Sequence, residues 1–295
     1  MNVGVLGACG FIGRNMVNEL ENQGYSVQCL DSVDLKLFKD LSLVDITNLE
    51  SIIKATKNCD VLINLAASPL IKSTSDPVSD VATNVLGNVN VFEACKINKI
   101  KSVVFSSASS LYGKVETSDV AEDHSCTPRT PYGVSKFACE HYLRVFNELY
   151  GLNFTVFRFF NVYGPLQAGG SGRIIPNLLD NISNGKKIQI YGDGKQIRDF
   201  IYVVDICRYI TKLLSLTSPN DVFNMGTGAA TNIIDLVKLC GEIVNKTPDI
   251  EFLPARPGEI GNFTANTEKL KGLFGDLSFT DLRDGLQSTW SSKNP

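Results

Sequence analysis

Short apolar runs alternate with longer amphipathic stretches through the first half of the chain. Residues 3–6, 27–30, 61–65, 102–106 and 154–159 are rich in β-branched and aromatic side chains, as buried strands are. Between them, apolar residues recur at helical spacing near 13–23, 48–56, 81–98 and 131–150. Strands that alternate with helices predict an α/β fold with a doubly wound parallel sheet. Ligands of such sheets bind at the carboxyl ends of the strands.

The rhythm breaks after Gly164-Pro165. Residues 169–172 are Gly-rich, and Gly192-Asp193-Gly194 reads as a turn. Residues 188–191 read as a strand, and 199–204 as another that returns to the first domain. Residues 231–244 read as a helix capped by Thr231, and 253–266 as a Pro/Gly loop. The expected organisation is a first domain over 1–165, with a return segment near 197–215. A smaller, discontinuous α/β substrate-binding lid takes 166–295.

Composition narrows the class. The 295 residues are 43% hydrophobic and 20% charged, enough for a full core. A formal charge of -3 leaves no basic field for nucleic acid or an anionic membrane. Eight scattered cysteines without a C-x-x-C pair, and only His124 and His141, argue against a zinc site and a disulfide framework. Buried reduced thiols are expected instead. The sequence opens directly into a strand pattern and has no apolar run of membrane length, so a cytoplasmic protein without metal is expected.

Gly7-Ala-Cys-Gly10-Phe11-Ile12-Gly13 follows the first strand and opens the first helix. Glycines so placed permit a tight turn, the approach of a pyrophosphate, and close helix–strand packing, the fingerprint of a Rossmann-type dinucleotide site. Asp31 ends the second strand, where a carboxylate accepts from both ribose hydroxyls and repels a 2′-phosphate. NAD is therefore expected over NADP. Asp45 and Ile46 precede the next helix and are placed at the adenine edge. Leu65, Ala66 and Ala67 offer small side chains along the cofactor's path.

A Ser-rich stretch, Ser106-Ser107-Ala108-Ser109-Ser110-Leu111-Tyr112-Gly113, leaves the fourth strand. Tyr132 and Lys136 follow at the start of a long helix, on one face of it. A nearby ammonium and a positive nicotinamide stabilise a tyrosinate and lower the Tyr pKa toward neutrality. Such a phenol takes a proton from a sugar hydroxyl as hydride leaves.

With these stretches the chain resembles the extended short-chain dehydrogenase/reductase family, in its nucleotide-sugar epimerase and dehydratase branch. Asn84–Gly87, Arg158–Pro165, Tyr191–Asp205 and Arg256–Glu259 match as well. The resemblance implies catalysis by Tyr132 and Lys136, with Phe11, Ile12, Asn84 and Ser106 added to the cofactor site. It implies that Asn161, Arg198, Arg256 and Glu259 serve the substrate diphosphate region. Ile175, Pro176, Leu179 and Tyr191 are implied around the base, and Phe263 beside the sugar. It also implies a homodimer joined by a four-helix interface built from 81–98 and 132–150.

One departure stands out. The catalytic hydroxyl of galactose epimerases lies four residues before the Tyr of the Tyr-Gly pair, and here that position is Ala108. Ser107 is the first choice to replace it, with Ser109 as substitute. Ser109 and Ser110 stand where the branch's dehydratases place an Asp-Glu pair, which disfavours dehydration. The reading is a UDP-hexose 4-epimerase, working through a transient 4-keto sugar and enzyme-bound NADH. The alternative is an NAD(P)H-dependent reductase of a dTDP- or GDP-4-keto-6-deoxy sugar. A third reading, a non-catalytic nucleotide sensor on the same fold, is disfavoured because both Tyr132 and Lys136 are present.

Overall fold

The computed structural model describes residues 1–115, 117–170, 172–254 and 262–293. The chain forms two compact units: Met1–Gly113, Ser125–Phe159 and Cys207–Phe223 make the first, and Lys114–His124, Phe160–Ile206 and Asn224–Pro295 the second.

In the first unit, β1 (Asn2–Leu6) and α1 (Phe11–Asn22) lead to β2 (Ser26–Asp31) and the short β3 (Ser42–Leu43). The α2 helix (Leu49–Thr56) precedes β4 (Val61–Asn64). Then α3 (Leu70–Ser75) and α4 (Pro77–Asp80) run into a π-helical turn, Val81–Gly87, and α5 (Asn88–Ile97) continues to β5 (Ser102–Ala108). A two-residue β6 (Asp119–Val120) falls in the second unit, before α6 (Pro131–Tyr150) and β7 (Asn153–Phe159) return to the first. The sheet runs β3-β2-β1-β4-β5-β7, with Asp221–Met225 as the seventh strand beyond β7. The pairings from β3 to β7 are parallel. The α/β Rossmann-type sheet expected from the sequence is thus present. Every residue of β4 is buried, as a central strand covered on both faces requires.

The α6 helix begins and ends where its sequence says it should. The Thr130 side chain accepts from Gly133 N at 3.1 Å, Pro131 takes the first turn, and Gly151 closes the helix at φ 69°. The expected continuous helix over 81–98 instead opens with the π-helical turn, an irregularity frequent at functional sites.

In the second unit, β8 (Asn161–Tyr163), α7 (Ile174–Ser183), β9 (Ile188–Tyr191), β10 (Ile197–Arg198) and β11 (Phe200–Tyr202) come first. The chain crosses units within α8 (Val203–Leu213) and again within β12, the Asp221–Met225 strand. It then forms β13 (Thr231–Asn232), α9 (Ile233–Ile243), β14 (Ile250–Leu253) and β15 (Thr264–Ala265). The expected strand over 199–204 ends at Tyr202, because the apolar positions beyond it follow helical spacing. Thr231 does not cap α9. It pairs with Arg198, and Asn232 holds the cap position. Asp199 ties this unit together: its buried carboxylate accepts from Thr227 N and Oγ1, Gly228 N and Ala265 N at 2.8–3.0 Å.

Seven of the eight cysteines are buried as thiols. Among the described residues no helix is long and apolar enough to cross a membrane.

Candidate functional site

The glycine loop closes on itself. Gly7 has φ +80°, and a Cβ on Gly13 would lie 2.0 Å from the Gly7 carbonyl oxygen, so neither position accepts a side chain. The α1 N-terminus that follows has no side-chain cap and no acid in its first turn. Its N–H groups and dipole are therefore available to an anion. Phe11 and Ile12 form that first turn and are half-buried.

This loop borders a cleft of about 530 Å³ at the carboxyl ends of β1 and β4, where the strand order reverses. Gly7, Gly10, Asp31, Asp45, Ile46, Leu65, Ala66 and Ala67 all line it, as placed from the sequence. Val33, Leu35, Ser68, Lys72 and Thr83 line it too and were missed, because only position in the fold brings them there. Asp31 accepts from Cys9 N at 2.8 Å and Val33 N at 3.1 Å, one to each oxygen, and each oxygen keeps a further lone pair. The cradle, the uncapped helix start and the rim carboxylate together fit a dinucleotide.

Asn84 does not line this cleft. Its amide accepts from Ser68 N at 2.8 Å and donates to Ser68 O at 3.0 Å and Asp80 Oδ1 at 2.5 Å. It fixes the loop after β4.

Beside the cleft lies a buried polar layer. Lys136 is fully buried, and its Nζ donates to Ser106 O at 2.7 Å. That nitrogen stands 5.6 Å from the Tyr132 ring centre and 4.7 Å from that of Phe105. Ser106 Oγ in turn donates to Asn64 O at 3.0 Å. Burial pushes the Lys136 ammonium down to about 8. Burial, and after it the charge of Asp80, push the Tyr132 phenol up to about 12. In the protein alone the shift of Tyr132 is thus upward; the expected lowering was for the protein with a positive nicotinamide bound.

Ser107 is bonded one turn further along α6, at Glu140. Its hydroxyl donates to Glu140 Oε1 at 2.5 Å, and Glu140 is held by Arg158 through Nε at 3.1 Å and Nη2 at 2.7 Å. Arg158 Nη1 also donates to Tyr112 Oη at 2.8 Å. All three of Ser107, Glu140 and Arg158 are buried. The first choice for the third hydroxyl is therefore engaged elsewhere. Ser109, half-buried in a 3₁₀ turn at the end of β5, is not so engaged.

The second unit holds its own cleft, of about 560 Å³. Asn161, Tyr191 and Arg198 line it as placed from the sequence, and Arg198 Nη1 donates to Ile197 O at 2.8 Å. Ile175, Pro176 and Leu179 do not. They are buried, Ile175 and Leu179 within the apolar core of this unit, while Ile174, Asn177, Leu178 and Asn181 present the α7 face that lines the cleft. Polar residues at 177 and 181, one turn apart, were the available sign of that face. Phe263 is buried edge-on to Phe160, 5.7 Å between ring centres. Arg256 and Glu259 lie outside the described residues.

A profile described as the NAD dependent epimerase/dehydratase family matches residues 3–226. The chain belongs to this family. Among solved members, the UDP-glucose 4-epimerase of Thermotoga maritima, solved with UDP-glucose, is 30% identical with a TM-score of 0.94 over 100% of this chain and 99% of that one. The enzyme of the same name from Thermus thermophilus, in complex with NAD, is 28% identical with a TM-score of 0.91 over 100% and 99%. The UDP-N-acetylglucosamine 4-epimerase of Methanobrevibacter ruminantium, with UDP-N-acetylmuramic acid, is 31% identical with a TM-score of 0.92 over 99% and 98%. Family membership gives the glycine cradle and the Tyr132–Lys136 pair a common context.

Proposed function

We propose that this chain is an NAD-dependent epimerase of a nucleotide-linked hexose, with UDP-glucose and UDP-galactose as the first pair to test. The observation that carries the reading is Lys136, fully buried beneath Tyr132 and fixed to the end of β5, next to a cleft whose glycines fit a dinucleotide. The similar solved proteins support it, since they carry UDP-sugars or NAD.

Gly7, Gly10 and Gly13 would admit the pyrophosphate to the α1 N-terminus, and Asp31 would take the adenosine ribose hydroxyls. Bound there, NAD supplies the acceptor and donor of hydride at the sugar carbon and, when oxidised, the positive charge that a tyrosinate needs. Tyr132 takes the proton of the sugar hydroxyl on its phenolic oxygen and returns it after the sugar has turned over. Lys136 holds the Tyr132 side of α6 in register with β5. Ser109 supplies the third hydroxyl, because Ser107 is tied to Glu140. In the second unit, Asn161 and Arg198 would hold the substrate diphosphate, Arg198 through its guanidinium, with Tyr191 against the base. Phe263 narrows the sugar site and favours a plain hexose.

The same reading includes a homodimer. Val134, Tyr142, Val145 and Leu149 leave an exposed apolar stripe on α6, and Val81, Leu86 and Ile97 are exposed on the preceding helical segment. A second copy covering them would make a four-helix interface.

The test is incubation with UDP-glucose, UDP-galactose and dTDP-sugars without added reductant. Interconversion with no net redox is expected. Silence until NADH or NADPH is supplied would replace the epimerase with a 4-keto-sugar reductase.

A further inference from the structure

One buried carboxylate has no part in the chemistry above. Asp80, at the end of α4, is fully buried. Its Oδ2 accepts from Ser135 Oγ at 2.5 Å and its Oδ1 from Asn84 Nδ2 at 2.5 Å. None of the ion pairs among the described residues includes Asp80. A carboxylate charge buried without a contact cation is unfavourable unless a charge close by offsets it. Ser135 stands between Tyr132 and Lys136 on α6, so the carboxylate is bonded to the very turn that carries the pair.

We propose that Asp80 is a positioning residue that, through Ser135 and its own charge, holds Tyr132 as a neutral phenol and Lys136 as an ammonium in the cofactor-free protein. This inference rests on the epimerase reading for its meaning, though not for its test.

The other charged groups around the pair leave this role to Asp80. From β7, Arg158 is neutralised by Glu140 of α6. From α5, Glu93 and Lys96 pair with each other at 2.6 Å. From α3, Lys72 is exposed at the cofactor cleft. The π-helical turn, β5 and the 3₁₀ turn after it carry no charged side chain. On α6 itself, Cys139 is a thiol whose Sγ donates to Asn84 O at 2.9 Å. The direction of the Tyr132 shift agrees, since Asp80 follows burial among its causes. The polar layer thus balances Lys136 against Asp80 and Arg158 against Glu140. Ionising Tyr132 would place a further negative charge in that layer.

The variant to make is Asp80→Asn. It keeps the shape, and the Ser135 hydroxyl can turn round to accept. Two readouts apply. In purified cofactor-free protein, phenolate absorbance is titrated against pH, with Tyr132→Phe subtracted to isolate Tyr132. In the loaded enzyme, the pH profile of UDP-glucose turnover is measured. In both, the Tyr132 midpoint is expected to fall by about one unit, raising turnover about fivefold at one unit below the wild-type midpoint. An unmoved midpoint in the titration overturns the inference, even if turnover drops, because a purely structural role lowers kcat without moving the midpoint. If wild type interconverts no UDP-sugar, the epimerase reading fails while the titration still decides the role of Asp80. Should Asp80→Asn not fold, Asp80→Ser serves instead: it also removes the carboxylate charge, so the phenol midpoint is again expected to fall, and an unmoved one overturns the proposal.

Discussion

The Glu140–Arg158 pair gives the strongest quantitative prediction about this fold. Glu140 is 2% and Arg158 3% exposed, so both charges are out of water. Burial alone would lower the Arg158 pKa, but Glu140 and then Tyr112 more than offset it, and the guanidinium stays charged. In Glu140→Gln the side chain keeps its shape and still accepts from Ser107 and from one guanidinium N–H. What disappears is the counter-charge. An uncompensated buried cation costs about 3–5 kcal/mol. Against a total stability of roughly 5–15 kcal/mol, that is a large fraction. Urea unfolding followed by far-UV circular dichroism should show a midpoint lower by about 1–2 M. The paired control is Glu140→Leu with Arg158→Met, which removes both charges and is expected to fall close to wild type. The reasoning fails if Glu140→Gln costs less than about 1 kcal/mol, the range of an exposed ion pair. It also fails if the double variant is no better than the single one.

Lys136 makes a pH prediction of definite sign. Its folded pKa is depressed to about 8 from 10.5, so between those values the unfolded chain binds the extra proton and stability rises with pH. Denaturation series from pH 7 to 10.5 should lose roughly 3 kcal/mol of that rise in Lys136→Met, and equal slopes in the two proteins would refute the burial argument. Gly13→Ala drives a Cβ into the Gly7 carbonyl oxygen and is expected to cost about 3 kcal/mol and abolish NAD binding, read by calorimetry. Gly10→Ala meets only that same oxygen, at 3.1 Å, so it should fold normally while binding NAD about tenfold more weakly. The proposed homodimer should be visible by sedimentation, and Leu149→Arg, which places a charge on the exposed α6 stripe, should then sediment as a monomer.

Why some of the site was legible and some was not follows from the range over which each constraint acts. The glycine loop is local: Gly7 and Gly13 meet each other within seven residues, and their spacing states the geometry outright. Tyr132 and Lys136 sit one helical turn apart, so their shared face was readable too. Two sheet strands were harder. Ser42–Leu43 is too short to show alternation, and Asp221–Met225 reaches the sheet from the far side of α8. On α7, Ile175 and Leu179 lie in the core while Ile174 and Leu178, of the same residue types, line the cleft, so residue type alone did not mark the cleft face. Ser107, which with Ser109 flanks the expected catalytic position at Ala108, was a reasonable choice on spacing. Yet its partner Glu140 lies 33 residues away and the Arg158 behind that lies 18 further on, and neither spacing carries a signal. Such partners matter because Tyr132, Lys136 and Glu140 repeat every four residues along one side of α6. That stripe is ordinary as a pattern. Its chemistry comes from what each member meets: Lys136 the end of β5, Glu140 an arginine from β7, and the turn between Tyr132 and Lys136 a carboxylate from α4. The proposed catalytic pair was visible in the sequence because it is local. The electrostatic setting of Tyr132 exists only once the sheet has assembled.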